Sequence, residues 1–208
     1  MTNVLIWLHV ISGSIAVIGM LGAWLSAKGK TNHRLFGKAY VFGMCAALIL
    51  ALIVATLTAN IFLLLVGIFS AYFVYTGWRL AKARDGSRNA IDRNAALLML
   101  IVSVLMMGYG IFMLIQSHDL ALALIVFSVI AALPAWQDFK LNDQWPKGKE
   151  RIVLHLNRMG GASIATTTAV FVVNVQTDPE FIAWLLPSVA VVPLMVYWTR
   201  RWRKPAPG

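Results

Sequence analysis

Long apolar runs separated by short polar clusters organise this chain. A stretch of roughly 18 or more uncharged residues is long enough to cross the hydrocarbon core of a bilayer as a helix. Seven candidate spans follow: about Val4 to Ala27, Leu35 to Thr58, Asn60 to Ala81, Ala95 to Gln116, Leu120 to Trp136, Ile152 to Gln176 and Phe181 to Thr199, the fifth being short. The apolar stretch from Leu35 to Leu80 is too long for one span, and Thr58-Ala59-Asn60 in its middle supplies the polar residues of a tight helical hairpin. The period-two alternation of a barrel strand is absent, and backbone groups in lipid must be satisfied within the element, so the pattern predicts an all-α, polytopic membrane helical bundle. The longest connection, Gln137 to Arg151, contains Lys, Asp, Asn, Pro and Gly and reads as a loop, so residues 1–208 are predicted to form a single transmembrane domain.

Charge orients the spans. The 18 Lys and Arg residues all fall on one side of this layout: Lys28, Lys30, Arg34 and Lys38; five from Arg79 to Arg93; five from Lys140 to Arg158; and Arg200, Arg201, Arg203 and Lys204. The opposite connections carry no basic residue and hold three of the eight acids, Asp119, Asp178 and Glu180. Basic loops stay in the cytoplasm, which predicts seven helices with the N-terminus outside, the C-terminus inside and a basic cytoplasmic tail over residues 199–208. A wrong helix count would scramble this segregation. A bacterial inner-membrane, multi-pass location is therefore expected. The formal charge of +10 then reports orientation and attraction to anionic lipids at the cytoplasmic face, not nucleic acid.

Composition agrees with this picture and narrows the chemistry. With 60% hydrophobic and 12% charged residues, the chain has too little polar surface to cover a soluble globule. A lone Cys45 excludes an intrachain disulfide and any cysteine cluster for zinc or iron and sulfur. The first run lacks a basic flank and a small-residue cleavage site, so it reads as a retained helix. Tryptophans near span ends, including Trp7, Trp78, Trp136, Trp184 and Trp198, suit the interfacial belt. No Asp or Glu lies near mid-membrane and the last span has no Lys, so an acidic proton relay and a retinal Schiff base lack their essential groups.

Four histidines remain, His9 and His118 toward the outside and His33 and His155 toward the cytoplasm. His9 lies roughly 27 Å of helix from the inner end of its span, too far to share an ion with His33. His33 and His155 sit at one level near the starts of helices two and six and form the favoured pair of metal or haem ligands. His33, Gly37 and Tyr40 share a face, and Gly37 leaves room for a close partner. His155, Met159, Ala162, Thr166 and Ala169 form a similar stripe, which suits either a flat cofactor or close helix packing. Arg158, one turn from His155 and beside Asn157, is a candidate for holding an anionic group, while Arg34 reaches either lipid phosphate or such a group. His9, with Ser12, Gly13, Ala16, Met20 and Ala23 along its face, fits a neighbouring helix or an outer cofactor, and His118 beside Asp119 reads as a solvated loop residue.

His9 with Ser12-Gly13-Ser14, His33-Arg34 with Gly37 and Tyr40, and His155 with Arg158-Met159 and Ala165-Thr166-Thr167-Thr168-Ala169 occur in an order that resembles a bacterial family of predicted multi-pass membrane proteins classed as a domain of unknown function. The resemblance runs from the first helix through the sixth and implies no particular reaction. Histidine-bearing bundles of this size also resemble, by architecture, b-type cytochromes and factors that assist haem-copper oxidase assembly. His33 and His118 at helix boundaries depart from the two-haem pattern.

The leading expectation is a protein that binds haem b or a transition metal near the cytoplasmic face, in electron transfer or oxidase assembly. A small-solute transporter or channel with Thr166 to Thr168, Asn174 and Gln176 along its path, gated by a histidine, is the second. A non-catalytic subunit, with a membrane-protein partner or a second copy, is the third. For orientation, reporter fusions after Thr58, Ser117 and Thr177 should be active only outside the membrane, and fusions after Gly86 and Lys147 only inside; the reverse pattern would invert the topology.

Overall fold

The computed structural model describes residues 2–141 and 143–203. Seven helices follow one another: α1 (Thr2–Leu25), α2 (Thr31–Leu57), α3 (Ile61–Lys82), α4 (Ala90–Ile115), α5 (Ala121–Lys140), α6 (Gly148–Asn174) and α7 (Phe181–Arg203). The architecture is all-α, with no strand among the described residues beyond one isolated bridge, Ser87 to Gln144. Asn142 in the α5–α6 loop and Lys204 to Gly208 of the expected basic tail lie outside the described residues; residues 199–203 form the last turn of α7. The chain divides into two compact units, residues 1–74 and 75–208, with the boundary inside α3.

In the first unit α1 and α2 pair as a hairpin whose backbones nearly touch. A methyl group on Gly19 would lie 2.4 Å from the Tyr40 nitrogen and 2.9 Å from the Phe36 carbonyl oxygen. One on Gly43 would lie 2.8 Å from the Ala16 nitrogen and 2.9 Å from the Ser12 oxygen. Small residues permit this approach, which replaces side-chain interdigitation by direct backbone contact. Ser12, Ala16, Met20 and Ala23 are accordingly buried, so the face that continues from His9 meets a helix. Gly37 differs from expectation, since open space surrounds the position its Cβ would take.

In the second unit α4 pairs with α5, α6 pairs with α7, and α5 touches α7, where Phe127 and Trp184 meet edge to face at 6.5 Å. The end of α3 lies against α6, with Met159 over Gly77. The hairpins α2–α3 and α4–α5 turn in the same way. Ala59 and Ser117 adopt left-handed backbone (φ 51° and 54°), and the next residue donates back into the helix, Asn60 N–H to Ala55 O at 2.9 Å and His118 N–H to Met113 O at 2.9 Å. This left-handed C-terminal cap satisfies carbonyls that the helix end leaves open. The break expected at Thr58-Ala59-Asn60 is therefore present.

Six of the seven helices are long and apolar enough to cross a membrane; α6 is not among them. Its 27 residues cover most of the expected sixth span, but His155, Asn157, Arg158 and the serine and threonines that follow lower its apolarity. Helix boundaries agree with the apolar runs to within about two residues at the ends poor in basic residues. At the basic ends α2, α4, α5, α6 and α7 each run four or five residues further, starting at Thr31, Ala90 and Gly148 and ending at Lys140 and Arg203. An apolar run marks where lipid would be, whereas a helix continues for as long as its backbone bonds are made and its polar side chains find partners.

The α1–α2 contact generates a stability prediction. Gly43→Ala should push the helices apart and cost about 1–3 kcal/mol. Gly37→Ala, in open space on the same helix, should be neutral or stabilise by up to about 1 kcal/mol. Thermal unfolding of the detergent-solubilised protein measures both; equal midpoints for the two variants would contradict the packing.

Candidate functional site

The helix extensions carry a buried polar centre. α4 begins one turn before its apolar run because Asn89-x-x-Asp92 forms a capping box: the Asn89 side chain accepts from Asp92 N–H at 3.1 Å, and Asp92 accepts from Asn89 N–H at 3.0 Å. Asp92 is completely buried, and a carboxylate removed from water needs donors on its lone pairs. It receives Arg79 Nε at 2.7 Å and Nη2 at 2.9 Å, the Tyr75 hydroxyl at 2.7 Å and, more weakly, Trp145 Nε1 at 3.4 Å. Tyr75 and Arg79 are four residues apart on α3, so one helix face supplies both.

A second carboxylate is handled the same way. Asp138, completely buried near the end of α5, takes Arg158 Nη2 at 2.7 Å and Nε at 3.3 Å, and Arg158 Nη2 also donates to the Pro134 carbonyl at 3.1 Å. Arg158 is itself only 3% exposed. Arg158, expected as a candidate for holding an anionic group, is paired in the structure with Asp138 of the same chain. Trp145 joins the two ion pairs: the Arg88 guanidinium lies 5.2 Å from its ring centre, and Arg88 donates to the Asp138 and Leu141 carbonyls. The loop that carries Trp145 is not simply solvated. Its indole is buried against Leu80 and Ala83, flanked by Leu141 and Leu154, and the Trp145 backbone N–H donates to Gly86 O at 2.9 Å.

Basic side chains also close helix ends. Lys28 donates to the Ala23 and Trp24 carbonyls of α1 at 3.1 and 2.6 Å, and its partial burial pushes the ammonium below the ordinary lysine range. Arg151 donates to the Leu80 carbonyl of α3. Arg34 Nε donates to Gly29 O at 3.0 Å in the α1–α2 turn, so this exposed arginine is anchored by the backbone. These contacts set positive charge where helix C-termini present open carbonyls.

The three helical histidines share one arrangement. His9 Nδ1 lies 2.8 Å from Ala47 O on α2, His33 Nδ1 3.0 Å from Ala23 O on α1, and His155 Nδ1 2.9 Å from Gly77 O on α3. A carbonyl only accepts, so in each case Nδ1 carries the proton, and a neutral ring then has its lone pair on Nε2. His33 belongs to the first unit and His155 to the second. His118 accepts from Leu120 N–H at 3.2 Å and is an exposed turn residue before α5. Among the described residues no group of three or more His, Cys, Asp or Glu side chains is arranged to hold a metal ion.

On α6, Ser163, Thr166 and Thr167 bond their hydroxyls to carbonyls one turn back, at 2.8, 3.0 and 2.6 Å. Thr168 Oγ1 on α6 and Ser188 Oγ on α7 are buried without a partner. A hollow of about 280 Å³ opens between α6 and α7, lined by Asn157, Val192, Met195, Val196, Thr199 and Arg200. No family model, curated protein or solved structure matches the chain.

Of the residues in the buried polar centre only Arg158 was a candidate from sequence; Asp92, Asp138, Arg79, Tyr75 and Trp145 were not. Both acids fall just outside the apolar runs, and the one legible signal was the Asn89-x-x-Asp92 cap. Removing one member of a buried pair leaves a charge without its counter-ion, so Asp138→Leu should destabilise by about 3–5 kcal/mol. Asp138→Leu combined with Arg158→Met should recover most of that loss. Denaturant unfolding of the single and double variants checks this, and a double variant no better than the single would refute the pairing.

Proposed function

We propose that the chain is a bacterial inner-membrane protein, N-terminus outside and C-terminus in the cytoplasm, that binds haem through imidazole ligands. The observation that carries this reading is the shared locking of Nδ1 in His9, His33 and His155. Histidines that ligate a metal through Nε2 characteristically donate Nδ1–H to a carbonyl or carboxylate, which fixes the ring and raises the basicity of Nε2. Haem brings four nitrogens of its own and asks the protein for only one or two axial ligands. It therefore accords with a chain that gathers no three-residue donor cluster among its described residues, whereas a transition metal held by protein donors alone does not. Electron transfer, or assistance to oxidase assembly, is the role such a cofactor serves.

The same bonds also staple helices, and the test separates the two roles. In a His→Asn variant the amide nitrogen stands near the former Nδ1 and can keep the carbonyl bond, while Nε2 is lost. Full-length protein expressed with added haem should show a Soret band that at least one of His9→Asn, His33→Asn and His155→Asn abolishes without lowering the unfolding midpoint. A colourless wild-type preparation, or a band indifferent to all three substitutions, would reject the proposal.

A second reading, passage of a small polar solute, is favoured by one observation. Thr168 and Ser188 are buried hydroxyls without a protein partner, on α6, the least apolar helix, and on α7, which contains Pro187 and Pro193. Solute flux into proteoliposomes that Thr168→Val reduces would move this reading ahead of the first.

A further inference from the structure

The α6–α7 hairpin presents a groove that neither reading uses. Val192, Met195, Val196, Thr199 and Arg200 stand at offsets of zero, three, four, seven and eight along α7 and so form one face. Against them on α6 is Asn157, whose Oδ1 accepts from the Thr199 hydroxyl at 2.9 Å. Met195 also lies over Gly160, where a methyl group would be 2.4 Å from its sulfur. The two helices are therefore antiparallel, with residue pairs 157/199 and 160/195 opposite one another. The space that remains, about 280 Å³, is walled by apolar side chains toward the middle of α7 and ends at an amide, a hydroxyl and a guanidinium.

We infer that this groove binds one anionic phospholipid, with an acyl chain along Val192, Met195 and Val196 and the phosphate at Arg200, Thr199 and Asn157. The inference rests on the chain's reading as a membrane protein but not on haem or transport. Charge complementarity selects the occupant. Arg200 is exposed at the basic end of α7, next to Arg201, and no carboxylate lines the groove to repel a phosphate. Arginine forms two parallel bonds to phosphate, and the Asn157 NH2, its amide oxygen already held by the Thr199 hydroxyl, adds an uncharged donor at the same end. Val192 and Val196 are 42% and 41% exposed, so an acyl chain would cover apolar surface that α6 leaves open. An arginine on a bare surface attracts any anionic lipid weakly and exchangeably. A groove with an apolar wall and a three-residue polar end holds one lipid in one pose.

Native mass spectrometry of the full chain, released from nanodiscs of phosphatidylcholine mixed with phosphatidylglycerol, tests this. The wild type should retain one phosphatidylglycerol in preference to phosphatidylcholine. Arg200→Gln, at an exposed position, should lower that retention about fivefold. Val196→Trp should block it with the charge unchanged, and Lys38→Gln, which removes a basic residue from α2, should leave it intact. If Val196→Trp fails to fold, the Arg200→Gln and Lys38→Gln comparison still decides. Equal retention of the two lipids by the wild type, equal loss in Arg200→Gln and Lys38→Gln, or release of the bound species by inorganic phosphate would overturn the inference, the last marking a free-phosphate site.

Discussion

A carboxylate removed from water must be surrounded by donors, and this constraint shapes the basic end of the second unit. Asp92 and Asp138 are both completely buried, and each is met by an arginine from another helix, Arg79 from α3 and Arg158 from α6. Neither pair is a source of net stability in itself, since the cost of desolvating two ions offsets most of their attraction. What they supply is specificity. A shift of α3 or α6 by one turn would strand a charge, whereas a shift of an apolar face by one turn meets another apolar face. In a chain whose apolar helices offer little to distinguish one packing from another, such pairs fix which helices meet and at what height.

The excess of basic residues takes on a second meaning in this light. Positive charge on one side of a membrane protein orients it, but several of these side chains also close helix ends. Lys28, Arg88 and Arg151 each donate to carbonyls near the C-terminus of a helix other than the one they belong to or at its border, and His33 does the same at Ala23. Helix C-termini carry partial negative charge and unpaired carbonyls, which these basic side chains meet.

The helix count and the hairpin at Thr58-Ala59-Asn60 were legible because each depends on local sequence: run length and a polar break. The true ends at Ala90, Lys140 and Gly148 were not, because hydropathy follows the hydrocarbon layer and the extensions are held by tertiary bonds. For the same reason Asp138 and Trp145 fell within the expected loop from Gln137 to Arg151, and Asp92 fell outside the expected spans. Gly37 invited a close partner and has none, while Gly19 and Gly43, which do have one, carried no stronger local signal. Arg158 invited a bound anionic group; that it meets Asp138 of the same chain depends on α5 continuing past Trp136, which only the fold decides.

Groups whose bonding capacity is filled by the protein are poor candidates for chemistry, and this separates framework from function here. The Asp92 carboxylate accepts from four residues, and Asp138 and Arg158 engage one another in two bonds, so any reaction at these centres would first have to break the packing they specify. The histidines differ in kind. Each is fixed through Nδ1 by a carbonyl of another helix, so the ring is held rigid by the fold. A haem ligand needs rigid support of this kind, which is why the imidazoles, and not the more deeply buried ion pairs, are the proposed ligands.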